Sequence, residues 1–280
     1  MNASSLNLGH YLRARRAVVQ PEEVGLDRQT GRRVPGLRRR EVAELAGISA
    51  EYYLRIEQGR VPRPSEQVLT ALAGALRLGA TSFAYMMQIS SDRPFAPSEP
   101  PADSADRITR TLGRWTHTPA YISDPYRDIV ASNPLATVFG LGGLSVGGNQ
   151  VINLFNARMK RTLVEWEEMT RSAVATLRRD AHPDAPRLRE IVDELSSDPD
   201  FSRIWARHDV SGPEDALFRV DIDGVGTIPV DAQNFAIRSI QGYQLTVLSA
   251  PSGTITESVF ASLAAGLPGG APSSLAGAEQ

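Results

Sequence analysis

Residues 36–63 read GLRRREVAELAGISAEYYLRIEQGRVPR, and the fold of the N-terminal part of the chain turns on this stretch. Arg38 to Ala46 places Val42, Leu45 and Ala46 on one face of a short amphipathic helix. Gly47 can adopt the positive φ that ends such a helix. Ile48 then packs inward, and Ser49 is a good N-cap for a second helix over about Ala50 to Gln58. In that helix Tyr53 and Ile56, three apart, turn back to a core, while Ala50, Glu51, Tyr52 and Arg55 face outward. Gly59 stops it. Two short helices joined by a tight glycine turn form a helix-turn-helix, which seats its second helix in a DNA major groove.

A glycine-linked helical hairpin alone is a common object, and its arginines could form a plain solvated face. The arginine placement argues for DNA. Thr30 to Arg40 holds Arg32, Arg33, Arg38, Arg39 and Arg40 with no acid, and Arg60 and Arg63 follow the second helix. Basic clustering at helix ends is the footprint expected for phosphate. Arg38, Arg39 and Arg40 fall in a first helical turn, where free N–H groups and the dipole already favour anions. Arg32 and Arg33 lie on the segment Gln20 to Pro35, which reads either as an extended surface loop or as an arm that carries them to the backbone or a minor groove; their place next to the start of the following helix favours the arm. Among the outward residues, Arg55 suits guanine O6/N7, Glu51 cytosine N4, and Ala50 or Tyr52 a thymine methyl. Arg60 and Arg63 are expected on phosphates.

VAELAGIS at 42–49, YY at 52–53 and RIEQGR at 55–60, followed by PSEQVLTALAGALRL at 64–78, resemble the lambda-repressor-like, XRE-type helix-turn-helix. The longer run GRRVPGLRRREVAELAGISAEYYLRIEQGR at 31–60 resembles the actinobacterial MmyB-like transcription regulators. The XRE pattern implies that Arg16, near the end of a first helix over Leu8 to Val19, pairs with Glu57 at the end of the recognition helix. It also implies that Arg39 lies beside that helix and positions it.

The chain has 280 residues, enough for two domains, and 41% apolar residues, enough for real cores. Its net charge of −2 conceals an asymmetry. Residues 1–91 hold 13 basic against 8 acidic residues, and residues 92–280 hold 17 against 24. Absent cysteine excludes disulfides, zinc fingers and thiol catalysis. No apolar run approaches the ~18–20 residues of a membrane span, and the N-terminus has no signal-peptide pattern. A cytoplasmic, nucleoid-associated protein without a membrane partner is the expectation.

These features divide the chain into a five-helix, all-α helix-turn-helix domain at 6–90, a linker at 91–104, an α/β domain at 105–265 and a disordered tail at 266–280. Helices four and five are expected over Ser65 to Leu78 and Thr81 to Ile89. In the second domain PAYISD and RDIVAS read as strands joined at Asp124-Pro125, and Asn133 caps a helix with Pro134 at its first position. Val151 to Asp180 is strongly helical with a break near 157. Two shorter helices follow, over Pro186 to Ser196 and Pro199 to His208. DALFRVDI, GTIPVD and YQLTVLSAP alternate as strands of an antiparallel sheet, and Glu257 to Ala264 is a last helix. GLGGLSVGG at 140–148 misses the G-x-G-x-x-G spacing, with Ser145 where the third glycine belongs, and reads as a flexible loop.

IVASNPLATVFG at 129–140, WEEMTRSAVATLRRDAHPDAP at 166–186, ELSSDPDFSRIWARHDV at 194–210 and the closing strands resemble the MmyB-like ligand-binding domain. With the N-terminal match, the resemblance covers roughly 8–266. It implies a PAS-like α/β fold with an internal apolar pocket for a small molecule such as a fatty acid. No metal or other cofactor is expected, since cysteine is absent and the four histidines lack ligand spacing. Family members often carry His-Pro near FRVDIDGVG, and this chain does not. Leu135, Phe139, Trp166 and Trp205 are candidate pocket-lining residues, with Asn133 and His208 as polar anchors; taken singly, each is better read as ordinary core. His208 could also pair with Asp209.

The implied function is a ligand-responsive regulator that binds double-stranded DNA, as a homodimer on an inverted repeat by half-site logic. An enzyme is disfavoured by the lack of G-x-S-x-G, H-E-x-x-H and P-loop motifs and by four scattered histidines. Asp180, His182 and Asp184 cluster, but in a proline-rich turn that suits helix capping. A helix-turn-helix that docks on a protein partner is the remaining alternative, and the Arg32 to Arg40 run counts against it.

Overall fold

The computed structural model describes residues 3–27, 34–61, 63–91, 110–212, 214–237, 240 and 242–267. Arg32 and Arg33, the linker beyond Ser91 and the tail from 268 lie outside these residues, as does the start of the domain expected from 105. The chain forms two compact units. A helical unit combines Met1–Ala96 with Val174–Gly212, and a sheet unit combines Pro97–Ala173 with Pro213–Gln280.

In the helical unit α1 (Ala3–Val18), α2 (Arg39–Leu45), α3 (Ala50–Glu57), α4 (Glu66–Ala75) and α5 (Ala80–Ile89) surround one core. Leu8, Tyr11 and Leu12 of α1 meet Tyr53 and Ile56 of α3, Leu69 and Leu72 of α4, and Tyr85 and Met86 of α5. The apolar spacing of these helices dictates that arrangement. Ser49 and Ser65 each cap a helix, their Oγ atoms accepting from the N–H groups of Tyr52 and Val68. Leu45 departs from its expected inward place: it is 39% exposed, and the inner face of α2 is carried by Val42 and Ala43. At 100° per residue, Val42, Ala43 and Ala46 define the buried face, and Leu45 falls to its side.

Gly9 sets how closely α1 crosses the end of α3. A Cβ there would run into the carbonyl of Glu57, so only glycine permits the approach. Also in this unit are the end of α9 (Trp166–Asp180), α10 (Pro186–Leu195) and α11 (Pro199–Trp205). The continuous helix α9 is thus divided between the units at residues 173 and 174.

The sheet unit holds β1 (Ala120–Ser123), β2 (Ile129–Ser132), β3 (Ala216–Ile222), β4 (Gly226–Ala236) and β5 (Gln244–Ser249). All pairings are antiparallel, in the order β2-β1-β5-β4-β3. This is the α/β arrangement with an antiparallel sheet that the sequence resemblance implies. One face presents Phe218, Ile228, Val230, Ala232 and Leu248 to α6 (Pro134–Phe139), to the start of α9 and to α12 (Ile255–Ala265). Leu112 and Trp115 cover Ala120, Ile122, Leu245 and Val247 on the other. Residues 150–180 break twice rather than once, into α7 (Gln150–Leu154), α8 (Ala157–Thr162) and α9. Asn156 caps α8, and Leu163 leaves helical geometry to bridge to Val220 of β3. The glycine loop at 140–148 is a run of turns tied to the edge strand: Gly147 N–H donates to the Ile129 carbonyl, and Ile129 N–H to that of Gly148. Among the described residues no helix is long and apolar enough to cross a membrane.

Gly9→Ala should lower stability by about 1–3 kcal/mol, because the obstructing atoms are backbone and cannot rotate away. Urea unfolding followed by circular dichroism checks this.

Candidate DNA interface and ligand-binding unit

The turn between α2 and α3 follows from two residues: Gly47 sits at φ 66°, and Ser49 closes the first turn of α3. Tyr53 and Ile56 are fully buried, which leaves Ala50, Glu51 and Arg55 exposed on the opposite face. Tyr52 is different. It is half-buried and packs partly on the core, so part of its ring is committed to the fold. Arg38, Arg40, Arg60 and Arg63 are all exposed around the two helices. The Glu41 carboxylate accepts from the Arg38 N–H at 2.6 Å and so occupies one of the free amides at the start of α2.

The recognition helix ends on a fully buried carboxylate, that of Glu57. Arg16 Nε donates to Oε1 at 2.7 Å, and Arg39 Nε donates to Oε2 at 2.6 Å. Arg16 also donates to the Leu37 carbonyl at 2.8 Å, which ties the entry of α2 to α1. Burial alone would raise the Glu57 carboxyl, but the bonds from Arg16 and Arg39 outweigh it and hold it below the ordinary carboxylate range. Burial likewise works against the Arg16 charge, and Glu57 more than restores it. The buried Tyr53 hydroxyl beside the pair is pushed well up and stays neutral. Arg39 remains 45% exposed, so one guanidinium both braces α3 and reaches the surface expected to face phosphate.

The six candidate ligand-pocket residues fall in both units. Asn133, Leu135, Phe139 and Trp166 belong to the sheet unit, Trp205 and His208 to the helical one. Asn133 spends its hydrogen-bonding capacity within the fold. Its Oδ1 accepts from Ala136 and Ala120 N–H, and its Nδ2 donates to the Trp115 and Thr118 carbonyls. Leu135 is buried on the helix-facing side of the sheet, where Phe139 packs edge-on to Phe260. Trp166 Nε1 donates to the Leu154 carbonyl at 2.6 Å, and Lys160, the chain's one lysine, lies over its ring.

In the helical unit Arg178 stacks on the Trp205 ring at 3.8 Å and donates to the Trp205 carbonyl. Its Nη1 lies 2.7 Å from His208 Nδ1. Burial and the Arg178 charge push His208 down to about 3, so the ring is neutral and Nδ1 is the acceptor. His208 thus pairs with Arg178, and the Asp209 carboxylate binds Arg15 and Arg207. Asp180 pairs with Arg179, and His182 Nδ1 accepts from the Asp184 N–H, which is a capping turn.

Sequence reasoning missed a polar group in the sheet unit. Arg127, only 1% exposed, donates to Gln244 Oε1 at 3.0 Å. Gln244 Nε2 and Thr246 Oγ1 both donate to Asn234 Oδ1. The pairing registers Ser123↔Gln244, Tyr121↔Thr246 and Asn234↔Thr246 put these side chains on the helix-facing side of the sheet, beyond the apolar set. Burial raises the Tyr121 hydroxyl above its ordinary pKa, with Thr246 and Arg127 offsetting only part. The alternation of polar residues along YQLTV at 243–247 was the available signal.

An α3 with an exposed polar face, braced from behind and ringed by arginines, alongside a separate α/β unit, is the build of a DNA-binding transcription regulator. Family models agree: a helix-turn-helix domain matches residues 7–84, and the MmyB-like transcription regulator ligand binding domain matches 105–263. The second match spans more than half of the chain, which therefore belongs to the MmyB-like transcription regulators. No curated protein matches it.

Glu57→Ala should cost about 3–5 kcal/mol, since it strands the buried Arg16 charge. In the intact chain the lowered Glu57 pKa contributes stability above the ordinary value of 4.5, lost as pH falls through the folded value. Melting curves from pH 7 to pH 3 should show that acid-dependent loss for the wild type and its absence in the variant. Arg55→Ala should cost about 1–3 kcal/mol of DNA affinity and relax preference at one base, whereas Arg60→Ala should weaken all duplexes evenly and reduce the salt slope by about one. Binding titrations on a panel of duplexes at two salt concentrations separate the two.

Proposed function

We propose that this regulator binds an inverted repeat as a homodimer, and that an amphiphilic, fatty-acid-like molecule in the sheet unit sets its DNA affinity. The observation that carries the ligand class is the split character of the helix-facing side of the sheet. Phe218, Ile228, Val230 and Leu248 make one end apolar. Tyr121, Ser123, Asn234, Gln244 and Thr246 with Arg127 make the other polar and cationic. The buried hydroxyls of Ser123 and Thr170 have no hydrogen-bond partner among the described residues, and they are donors suited to a ligand head group. An acyl chain fits the apolar end, and a carboxylate fits the polar one.

The homodimer reading rests on geometry alone: one short recognition helix with three or four outward side chains reads few bases, and a second copy doubles the site. A cytoplasmic, nucleoid-associated location follows from the DNA target. A protein partner for α3 is the second reading, and the exposed Arg38, Arg40, Arg55, Arg60 and Arg63 favour DNA over it.

Dodecanoate and dodecanol, titrated calorimetrically into the full chain, test the ligand class. Dodecanoate should bind about tenfold or more tightly, the worth of a hydrogen bond to a charged group. Equal affinities, or no binding of either, would remove the fatty-acid reading. An enriched inverted repeat from a random duplex pool, retained by a species of twice the chain mass, is the result expected of a homodimer.

A further inference from the structure

The helical unit is completed by residues 174–212, which lie inside the 105–263 match to the ligand-binding family model. This segment grips α1 next to the recognition brace. Arg15 Nη1 donates to Asp209 Oδ1 at 2.9 Å, and the next residue, Arg16, holds Glu57. Val210 packs on the core formed by α1 to α5.

On its other side the loop after α11 is fastened to α9. His208 takes up φ 50°, a left-handed conformation uncommon for a side-chain-bearing residue, and Arg178 holds its ring there. Thr176 Oγ1 donates to the Gly212 carbonyl. The rings of Tyr11 on α1 and Tyr85 on α5 meet edge-to-face at 5.2 Å.

We propose that Asp209 is a positioning residue for DNA recognition: through Arg15 it fixes α1, and α1 fixes the recognition helix through Arg16 and Glu57. The inference rests on the assignment of α3 to DNA, and it names the element through which the second domain's own chain acts on α3. The series runs from Arg178 on α9 to His208, by one peptide bond to Asp209, across to Arg15, and by a second peptide bond to Arg16, Glu57 and Arg39.

The test uses the full chain and the variants Asp209→Ala, Asp209→Glu, Arg15→Ala and the double alanine. Each is titrated with the duplex that the wild type selects from a random pool and with a scrambled duplex. Asp209→Ala should lower the ratio of specific to non-specific affinity about five- to tenfold. Asp209→Glu should restore most of it, and adding Arg15→Ala to Asp209→Ala should change the ratio no further. Amide hydrogen exchange, with no DNA present, should quicken at the ends of α1 and α3 in Asp209→Ala while the sheet strands stay at wild-type rates. An unchanged ratio, or unchanged exchange in α3, overturns the proposal. A wild type that selects no duplex would instead sink the DNA assignment of α3, and the exchange data would still decide whether Asp209 holds that helix.

Discussion

The DNA-binding half of this molecule depends on one buried carboxylate. Glu57 closes the recognition helix and has no access to water, so its charge must be matched inside the protein. Two guanidiniums match it from different helices, Arg16 from α1 and Arg39 from α2. Three helices therefore meet at a single point, with directional bonds that tolerate little sliding. Hydrophobic contacts alone would keep these helices together but would specify their angles less sharply, because burial is not directional. A recognition helix must be aimed, and the ion pairs supply the aim.

The same logic separates the two faces of α3. Tyr53, Ile56 and Glu57 do the structural work, while Ala50, Glu51 and Arg55 make no contribution to the core. Tyr52 sits between the two roles, half against the core. In the sheet unit the division runs across one surface instead. The helix-facing side of the sheet is apolar where α12 and α6 cover it, and polar around Gln244 and Arg127.

Much of this was legible in the chain. Gly47, Ser49, Gly59 and the Tyr53/Ile56 spacing define the helix-turn-helix through local rules, and local rules survive folding. The strands and their antiparallel pairing followed from alternation and turn residues. Arg178 and Arg127 were not legible, because a buried arginine and a surface arginine look alike until their partners are known, and those partners lie 30 and 117 positions away. The six proposed pocket residues show a related difficulty. Trp205 has the size and apolarity of a pocket wall, yet its ring serves Phe201 and Arg178 within the helical unit. Nor could the pattern of helices reveal that residues 174–212 complete the same unit as residues 1–96, since that depends on contacts and not on periodicity.

That discontinuity has a consequence in time. During synthesis the helix-turn-helix leaves the ribosome before residues 174–212, which complete its unit, have been made. At about 5–20 residues per second, roughly 6–24 s separate residue 91 from residue 210. Until then α1 lacks the Asp209 contact, and the core lacks the side chain of Val210. A nascent or prematurely ended chain thus carries a recognition helix without its full support, and a finished regulator appears only after the second domain's sequence has largely been read.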